Sequence, residues 1–363
     1  MRIAFIGSSL VTSYRNGSAT YCRGVLRALA ERGHRITLYE PNTRERELHR
    51  DIPNPDWARI VAYPVDRAGV AGVIDKARSA DTIIKASGIG AFDTLFEASL
   101  PGLRRPGRSV IFWDMEPAVT LERVRGDVND PLRVLLPLFD LVLIRGGGRP
   151  AVARYLKLGA RACVPIYNAV DPRVHHPIPT DERFAADVAF LGDLAPDRAP
   201  RVVELLFAVA ETLPHRRFQV AGSGWDGVTL PANVRSLGHV RTADHNAVNC
   251  SALAVLSIAR TPMARDGLAP SSRMFEAAGA AACIISDDWP GLASFFEPDT
   301  EILVANDRSD VIDHLETLDA ARAGAIGVAA RRRALGMHTF VHRAALVEAV
   351  LTRTRAQPLE VRI

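Results

Sequence analysis

The sequence predicts an α/β protein with two domains, each built on an open parallel sheet. Three observations lead to this prediction: the length, a repeated alternation of apolar runs with helical patterns, and a proline-rich interruption near the middle. A chain of 363 residues is too long for one ordinary hydrophobic core. Short apolar runs that alternate with helical segments are typical of parallel strands covered on both faces.

The first half of the chain contains seven such runs. The clearest unit has a strand at Ile3–Ile6, an amphipathic helix over Ala19–Glu31 and a second strand at Ile36–Tyr39. The other predicted strands of this half are Ile60–Tyr63, Thr82–Lys85, Val110–Trp113, Leu141–Ile144 and Cys163–Ile166.

A proline-rich stretch, Ala169–Thr180, interrupts the pattern. Its three prolines forbid a helix and favour an extended connector. We therefore predict a first domain over residues 1–172, a linker over 173–180 and a second domain over 181–340. A final helical stretch within 341–363 is expected to pack back across the first domain.

The second half repeats the alternation of short strands and helices. Its apolar runs predict a second parallel sheet with helices on both faces. The predicted strands are Val188–Leu191, Phe218–Ala221, Val234–Leu237, Ala254–Ile258, Cys283–Ser286 and Ile302–Ala305.

Composition limits the classes of function. No run of eighteen apolar residues exists, so we expect no membrane-spanning segment. The first residues lack a signal-peptide pattern, and the four cysteines are widely separated, which predicts reduced thiols and a cytoplasmic protein. The net charge of +4 suits an anionic ligand, but no basic stripe with interleaved aromatics indicates nucleic acid.

The strongest sign of a ligand site lies in the stretch Ala269–Asp288. Ser271 and Ser272 predict a capped helix start, where free N–H groups and the positive dipole end favour a phosphate. Arg273 adds a cation, and Glu276 lies one turn further, where a carboxylate can accept both hydroxyls of a ribose. These residues predict a nucleoside-diphosphate site. The alternative is a capped amphipathic helix with a surface Arg–Glu pair.

Other polar residues and glycines follow the predicted strands, where open parallel sheets bind their ligands. Glycines let the backbone approach a ligand closely, and arginines match phosphate geometry. No dinucleotide fingerprint and no P-loop appears, which argues against nicotinamide, flavin and P-loop enzymes. These strand-end residues are Gly7, Asn16, Gly17, Asp114, Glu116, Arg145, Gly146, Gly147, Gly148, Gly192, Asp197, Arg198, Gly222, Gly224, Trp225, Gly238, His239 and Arg260.

Several motifs resemble a known family. They are Trp113-Asp114, the triple glycine Gly146–Gly148, Gly222-Ser223-Gly224-Trp225, Leu237-Gly238-His239-Val240 and Arg273-Met274-Phe275-Glu276-Ala277-Ala278-Gly279. Together they resemble the GT-B glycosyltransferases, in particular the CgeB-like (spore-maturation-protein-like) branch of the group 1 enzymes. The resemblance covers nearly the whole chain, most specifically residues 187–305. It implies two Rossmann-like domains whose parallel sheets face a central cleft.

The resemblance also implies roles for individual residues. It places the nucleotide-sugar donor on the second domain, with Glu276 on the ribose and Arg198 and Arg273 on the diphosphate. The full predicted donor set is Arg198, Gly222, Gly224, Trp225, Gly238, His239, Arg260, Ser271, Ser272, Arg273 and Glu276. The predicted acceptor set in the first domain is Gly7, Asn16, Gly17, Arg145, Gly146 and Gly147.

Asp114 and Glu116 are the candidate catalytic residues. Either carboxylate at this strand end could deprotonate an acceptor hydroxyl, although a helix-capping pair is an equally good interpretation. We expect no metal, because the resemblance implies reliance on helix dipoles and cations. Large retaining members carry Glu-x7-Glu, but Leu268 stands where the first Glu would be, which leaves the stereochemistry open.

The histidines have simpler interpretations. His175 and His176 fall in the linker, where we expect a solvated loop. His245 follows an aspartate and is expected to open a helix in its first turn.

The sequence therefore predicts a metal-independent glycosyltransferase that uses a nucleoside-diphosphate-sugar and needs no further cofactor. UDP binding is expected, and the acceptor is a hydroxyl or amine of a small molecule or glycan. The alternatives are a nucleotide-sugar 2-epimerase and a non-catalytic nucleotide-sugar-binding protein. The sequence leaves open the base and sugar of the donor, the acceptor, the stereochemistry and a homodimeric state.

Overall fold

The computed structural model describes residues 1–12, 18–50, 52–90, 92–259 and 270–356. The chain divides into two compact units. The first unit comprises Met1–Tyr167 together with Phe340–Ile363, and the second comprises Asn168–Thr339.

A parallel sheet forms the centre of the first unit. Its strands are β1 (Arg2–Ile6), β2 (Arg35–Pro41), β3 (Ala58–Tyr63), β4 (Thr82–Ala86), β5 (Ser109–Asp114), β6 (Leu141–Ile144) and β7 (Cys163–Pro165). Their order in the sheet is β3-β2-β1-β4-β5-β6-β7. Strands β4, β5 and β6 are buried along their whole length, which explains why they appear in the sequence as short continuous apolar runs.

Helices connect these strands. They are α1 (Ala19–Glu31), α2 (Arg44–Leu48), α3 (Arg67–Ala77), α4 (Asp93–Ser99), α5 (Pro117–Gly126), α6 (Leu132–Leu135) and α7 (Arg149–Lys157), with 3-10 turns at Leu100–Leu103 and Leu136–Leu138. Helix α1 buries one apolar face that includes Val25, Leu26 and Leu29.

The second unit has its own parallel sheet. Its strands are β8 (Ala186–Leu191), β9 (Phe218–Ala221), β10 (Val234–Ser236), β11 (Ala252–Ser257), β12 (Ile284–Asp287) and β13 (Leu303–Ala305). Their order is β10-β9-β8-β11-β12-β13. A buried apolar cluster of this unit lies against the sheet and includes Phe190, Trp225 and Ile285.

The helices of the second unit follow the same alternation. They are α8 (Ala199–Val202), α9 (Ala208–Thr212), α10 (His245–Ser251), α11 (Ser272–Gly279), α12 (Arg308–Thr317) and α13 (Ala320–Met337). A π-helical turn, Val203–Phe207, joins α8 to α9, and 3-10 turns lie at Glu182–Phe184, Thr242–Asp244 and Leu292–Ser294.

The last helix, α14 (Phe340–Ala356), belongs to the first unit and packs against α1. Gly24 makes this close approach feasible, since a Cβ built there would lie 2.2 Å from the Phe340 ring. Just beyond the C-terminal end of α1, the guanidinium of Arg32 and the imidazole of His34 both pair with Glu348.

The predicted α/β fold with two parallel sheets is confirmed, and each predicted strand overlaps an observed strand whose ends lie within two residues. The last helix begins one residue before the predicted stretch 341–363, since α14 starts at Phe340. Within the described residues, none of the helices combines the length and hydropathy needed to cross a bilayer.

Candidate functional site

The start of helix α11 has the predicted cap. Ser271 is the N-cap residue, and its hydroxyl accepts a hydrogen bond of 3.2 Å from the backbone N–H of Met274. The carbonyl of Pro270 accepts a hydrogen bond of 2.9 Å from the side-chain amide of Asn168. Ser272 is the first helical residue. The helix start is therefore fixed from both sides.

Glu276 lies one turn inside α11 and is buried, with 4% of its surface exposed. Its Oε2 accepts a hydrogen bond of 2.6 Å from Nη1 of Arg273 and lies 3.3 Å from Nδ1 of His245. The Arg273 side chain is 41% exposed. Arg273 is thus partly exposed, but Glu276 is buried. Because the carboxylate is buried, the alternative of a solvated surface Arg–Glu pair does not fit.

The surroundings of Glu276 favour its ionised form. Burial alone would raise the pKa of this carboxyl, but the positive charge of Arg273 holds the pKa well below its usual range. An ionised carboxylate only accepts hydrogen bonds. Glu276 is therefore suited to bind hydroxyl groups.

His175 is buried, with 3% of its surface exposed, so the expectation of a solvated loop was wrong. Its ring stacks on that of His245, with 6.4 Å between ring centroids and 21° between planes. Among the described residues, neither ring nitrogen of His175 has a hydrogen-bond partner. Burial lowers its pKa, so the ring is neutral near neutral pH.

Backbone hydrogen bonds join the loops that follow β8, β9 and β10. The N–H of Leu194 donates to the carbonyl of Ser223 at 2.9 Å, and the N–H of Gly222 donates to the carbonyl of Gly238 at 2.9 Å. Gly222 has φ +132°, and a Cβ there would lie 2.6 Å from the carbonyl oxygen of Gly192. A side chain at residue 222 would therefore force these loops apart.

Trp225 lies beneath this group of loops. Its ring is buried and packs edge-on against Phe190, with centroids 6.0 Å apart. Its indole N–H donates to the carbonyl of Gly192 at 3.0 Å. Trp225 therefore supports the loops from the core instead of presenting its ring at their surface.

Arg198 folds back over the end of β8. Its Nη1 donates to the carbonyl of Asp193 at 3.2 Å, and its guanidinium carbon lies 5.8 Å from the Phe190 ring centroid. Parallel strands all end at the same edge of a sheet, so Arg198 and the start of α11 lie at the same edge of the second sheet.

Asp287, at the end of β12, is a buried carboxyl at this edge that the sequence did not single out. Its two oxygens lie 2.9 and 3.1 Å from the backbone nitrogen of Ala259, which donates to them. Burial raises the pKa of Asp287 to about 6. The hydrogen bonds between Asp287 and the N–H of Ala259 fix the residues just after β11 next to the end of β12.

In the first unit, Asp114 is fully buried at the end of β5. Its carboxylate accepts hydrogen bonds from the Tyr155 hydroxyl at 2.5 Å, the Ser87 hydroxyl at 2.9 Å and the backbone N–H of Glu116 at 2.9 Å. Three donors around a carboxylate without exposed surface are typical of a group that holds a loop. Glu116 is exposed and precedes α5, so it is the accessible member of the predicted pair.

Arg145 and the glycines after β6 lie next to Asp114. The N–H of Arg145 donates to the carbonyl of Asp114 at 2.8 Å, and its guanidinium carbon lies 5.9 Å from the Tyr21 ring centroid. Gly146 and Gly147 have φ of +82° and +71°, a backbone conformation that favours glycine. The loops after β5 and β6 are thus joined at one edge of the first sheet.

The remaining predicted residues are dispersed or outside the described chain. Gly7 is buried after β1, where a Cβ would lie 2.5 Å from the Phe5 ring. His239 is exposed beyond β10. Asn16, Gly17 and Arg260 lie outside the described residues. In the part of the chain that the structure describes, no group of three or more His, Cys, Asp or Glu side chains forms a metal-binding cluster.

Comparisons with known proteins bear on the family and on the fold. Residues 198–349 match a family model described as Glycosyl transferase-like, a segment that contains Arg198 and the whole of α11. No curated protein sequence matches the chain significantly.

Solved structures resemble the chain over nearly its full length. One is Alr3699/HepE from Anabaena in complex with UDP and glucose, with a TM-score of 0.70, 16% identity and coverage of 97% of this chain and 100% of that one. Its UDP-glucose complex gives a TM-score of 0.68 at the same identity and coverage. Another is sucrose-phosphate synthase from Thermosynechococcus elongatus, with a TM-score of 0.67, 13% identity and coverage of 97% and 98%. At these identities the likeness shows the fold, which is the GT-B fold of glycosyltransferases.

Proposed function

We propose that this protein is a glycosyltransferase that moves a sugar from a UDP-sugar to a hydroxyl or amine of an acceptor. The observation that carries the proposal is the buried, ionised carboxylate of Glu276 next to the half-exposed Arg273, one turn inside the capped start of α11. Two comparisons support it. The family model covers this helix, and the structurally similar Anabaena protein forms complexes with UDP and with UDP-glucose.

The proposed donor site places each chemical group against a suitable partner. The Glu276 carboxylate accepts hydrogen bonds from the ribose hydroxyls. Arg273 and Arg198 neutralise the diphosphate, assisted by the positive end of the α11 dipole. Gly222, Gly224 and Gly238 let the backbone approach the nucleotide closely.

Catalysis in this proposal is mainly electrostatic. When the bond between the sugar and the diphosphate breaks, negative charge grows on the leaving diphosphate, and arginines already in place stabilise it. We propose that no metal ion takes part in this step. Glu116 takes the proton of the acceptor nucleophile, since Asp114 already accepts three hydrogen bonds in a buried position.

We also assign the protein to the CgeB-like branch and to the cytoplasm. The assignment to the branch rests on Trp113-Asp114 and the triple glycine Gly146–Gly148. The assignment to the cytoplasm rests on the cysteines, which are all four free. Burial raises the pKa of Cys22 and Cys283 to about 12, as in structural thiols kept in a reducing compartment.

Nucleotide binding by purified protein tests the donor site. Isothermal titration with UDP, UDP-glucose, GDP-glucose and dTDP-glucose should identify the preferred base. Glu276→Ala and Arg198→Ala should each weaken binding of the preferred nucleotide by about tenfold or more, because each removes a charged hydrogen-bonding group worth roughly 1.5–3 kcal/mol.

Two exposed residues on helices of the second unit provide matched controls. Glu316→Ala and Arg332→Ala remove the same side-chain types, and nucleotide affinity should stay at the wild-type value. Affinity that is unchanged in both Glu276→Ala and Arg198→Ala would refute the proposed donor site.

A non-catalytic nucleotide-sugar-binding protein is the second candidate. The burial of Asp114 favours it, because this carboxylate has no exposed surface from which to act as a base. Such a protein would bind UDP-sugars with the same dependence on Glu276, but it would consume no donor with any acceptor. Radiolabelled UDP-glucose incubated with a panel of hydroxyl and amine acceptors separates the two functions.

A further inference from the structure

His245 and Arg273 compete for the same oxygen of Glu276. Nη1 of Arg273 lies 2.6 Å from Oε2 of Glu276 and 2.7 Å from Nδ1 of His245. A guanidinium N–H only donates, so the ring nitrogen that faces it must accept and carry no proton. The same Nδ1 lies 3.3 Å from Oε2 of Glu276. If Nδ1 carried a proton, it would donate a hydrogen bond to Glu276, but it could no longer accept one from Arg273.

The three side chains of this cluster differ in their exposure to solvent. Arg273 is 41% exposed along its side chain, whereas the side chains of Glu276 and His245 are each 6% exposed. An anion at the start of α11 would therefore draw Arg273 outward while Glu276 and His245 stay in place. A buried carboxylate that loses its donor is strongly destabilised.

We propose that His245 replaces Arg273 as the partner of Glu276 when a sugar nucleotide binds, and that it takes up one proton from solvent as it does so. This inference rests on the proposed function. Arg273 is then free to bind the diphosphate. The protonated imidazole donates its Nδ1–H to Oε2 of Glu276 and keeps the carboxylate ionised and oriented toward the ribose. His245 is thus a positioning residue.

The neighbours of His245 permit this change of charge. His175 stacks on it and is kept neutral by burial, so it adds no positive charge against a protonated His245. Glu182 belongs to a short turn that packs against α10. Among the described residues on and next to the elements that contact α10, Asp181 pairs with Arg183, Asp187 with Arg216, and Arg241 with Asp244. Asp171, which precedes His175, pairs with Arg173.

The test measures proton uptake during binding. UDP-glucose is the probe, because its diphosphate is esterified at both ends and lacks the terminal phosphate that titrates near pH 6 in a free nucleotide. Titration calorimetry at pH 8 in two buffers of different ionisation enthalpy gives the number of protons exchanged. We expect uptake approaching one proton per UDP-glucose.

His245→Gln is the informative variant. The amide can accept from Arg273 and donate to Glu276 without titrating, so proton uptake on binding of UDP-glucose at pH 8 should disappear. His245→Asn provides a second non-titrating variant if the first unfolds. His34→Gln is the matched control, since His34 also pairs with a glutamate but lies in the first unit, and uptake should persist there.

Each outcome is decisive. Binding by the wild type without proton uptake would overturn the inference and leave the proposed function intact. Uptake that persists in His245→Gln would overturn it in the same way, and so would uptake that is lost only in His175→Phe, since the proton would then reside on His175. Failure of the wild type to bind any nucleotide sugar would overturn the proposed function together with this inference.

Discussion

The hydroxyl of Tyr155 donates a hydrogen bond of 2.5 Å to the carboxylate of Asp114, and both side chains are fully buried. Burial and the charge of Asp114 hold the pKa of Tyr155 well above its usual range, so the phenol keeps its proton. This contact ties α7 to the end of β5. Asp114 is therefore part of the framework that holds the loop containing Glu116.

We expect Tyr155→Phe to lower the free energy of unfolding by about 2 kcal/mol, since a buried carboxylate loses a donor. Tyr21→Phe is the matched control. Its hydroxyl is equally buried but donates to the neutral carbonyl of Ile166 at 3.0 Å, so the expected loss is about 1 kcal/mol. Urea unfolding measures both variants, and equal losses would show that the charge of Asp114 adds nothing.

Two glycines of α13 should respond oppositely to alanine. A Cβ on Gly327 would lie 2.0 Å from the carbonyl oxygen of Ala281, whereas a Cβ on Gly324 meets nothing within 4 Å. Gly327→Ala should therefore lower the unfolding temperature, because backbone must move. Gly324→Ala should raise the free energy of unfolding by about 0.5–1 kcal/mol through helix propensity. Thermal unfolding of both variants tests this, and a stable Gly327→Ala would contradict the close approach.

Asp287 should make stability depend on pH. Its folded pKa of about 6 lies above the unfolded value near 4. Between these values the folded protein holds a proton that the unfolded chain has released, so the free energy of unfolding falls as pH rises through this window. The full effect is about 3 kcal/mol.

Asp287→Asn should remove the decrease in the free energy of unfolding that Asp287 causes between pH 4 and pH 6. Its amide oxygen can still accept from the N–H of Ala259. Asp288→Asn, at the exposed neighbouring position, should leave the dependence as in the wild type. Urea unfolding across the pH range measures all three proteins, and identical slopes for wild type and Asp287→Asn would refute the assignment.

Glu116→Gln tests the proposed base. The amide cannot take a proton, so kcat for sugar transfer should fall by about 10²–10⁴-fold while the Kd for UDP-glucose stays unchanged. Glu122→Gln, an exposed residue of α5, should retain the wild-type kcat. A Glu116→Gln enzyme with full activity would exclude Glu116 as the base.

Chelation tests the proposed metal-free step. Treatment with EDTA followed by desalting should leave the UDP-glucose Kd and the transfer rate unchanged, because in the proposal arginines and the helix dipole supply the positive charge. Added Mg²⁺ or Mn²⁺ should have no effect. A transfer rate that vanishes with EDTA and returns with either ion would contradict the proposal.

The strands and helix starts could be predicted from the sequence because their signals are local. Strands buried on both faces appear as short apolar runs, and Ser271 before Arg273 and Glu276 is a capping pattern with charged residues at helical spacing. The structure also brings the glycine loops after β8, β9 and β10 together, as expected from parallel strands that end at one edge.

The polar interior could not be predicted, because its partners are distant in sequence. Nothing near Asp114 reveals that Tyr155 lies against it, and a histidine in a proline-rich segment gives no sign that its ring is buried against His245. The link between His245 and Glu276 likewise joins two helices separated by a strand. These contacts can be found only from the three-dimensional structure.

The second unit is inserted between the body of the first unit and its last helix. During synthesis on the ribosome, residues 168–339 emerge before Phe340 can cover Gly24 and before Glu348 can reach Arg32 and His34. The second unit can therefore complete its fold before α14 packs against α1. A nascent chain arrested before residue 340 should accordingly protect the second half, and not the first, from protease.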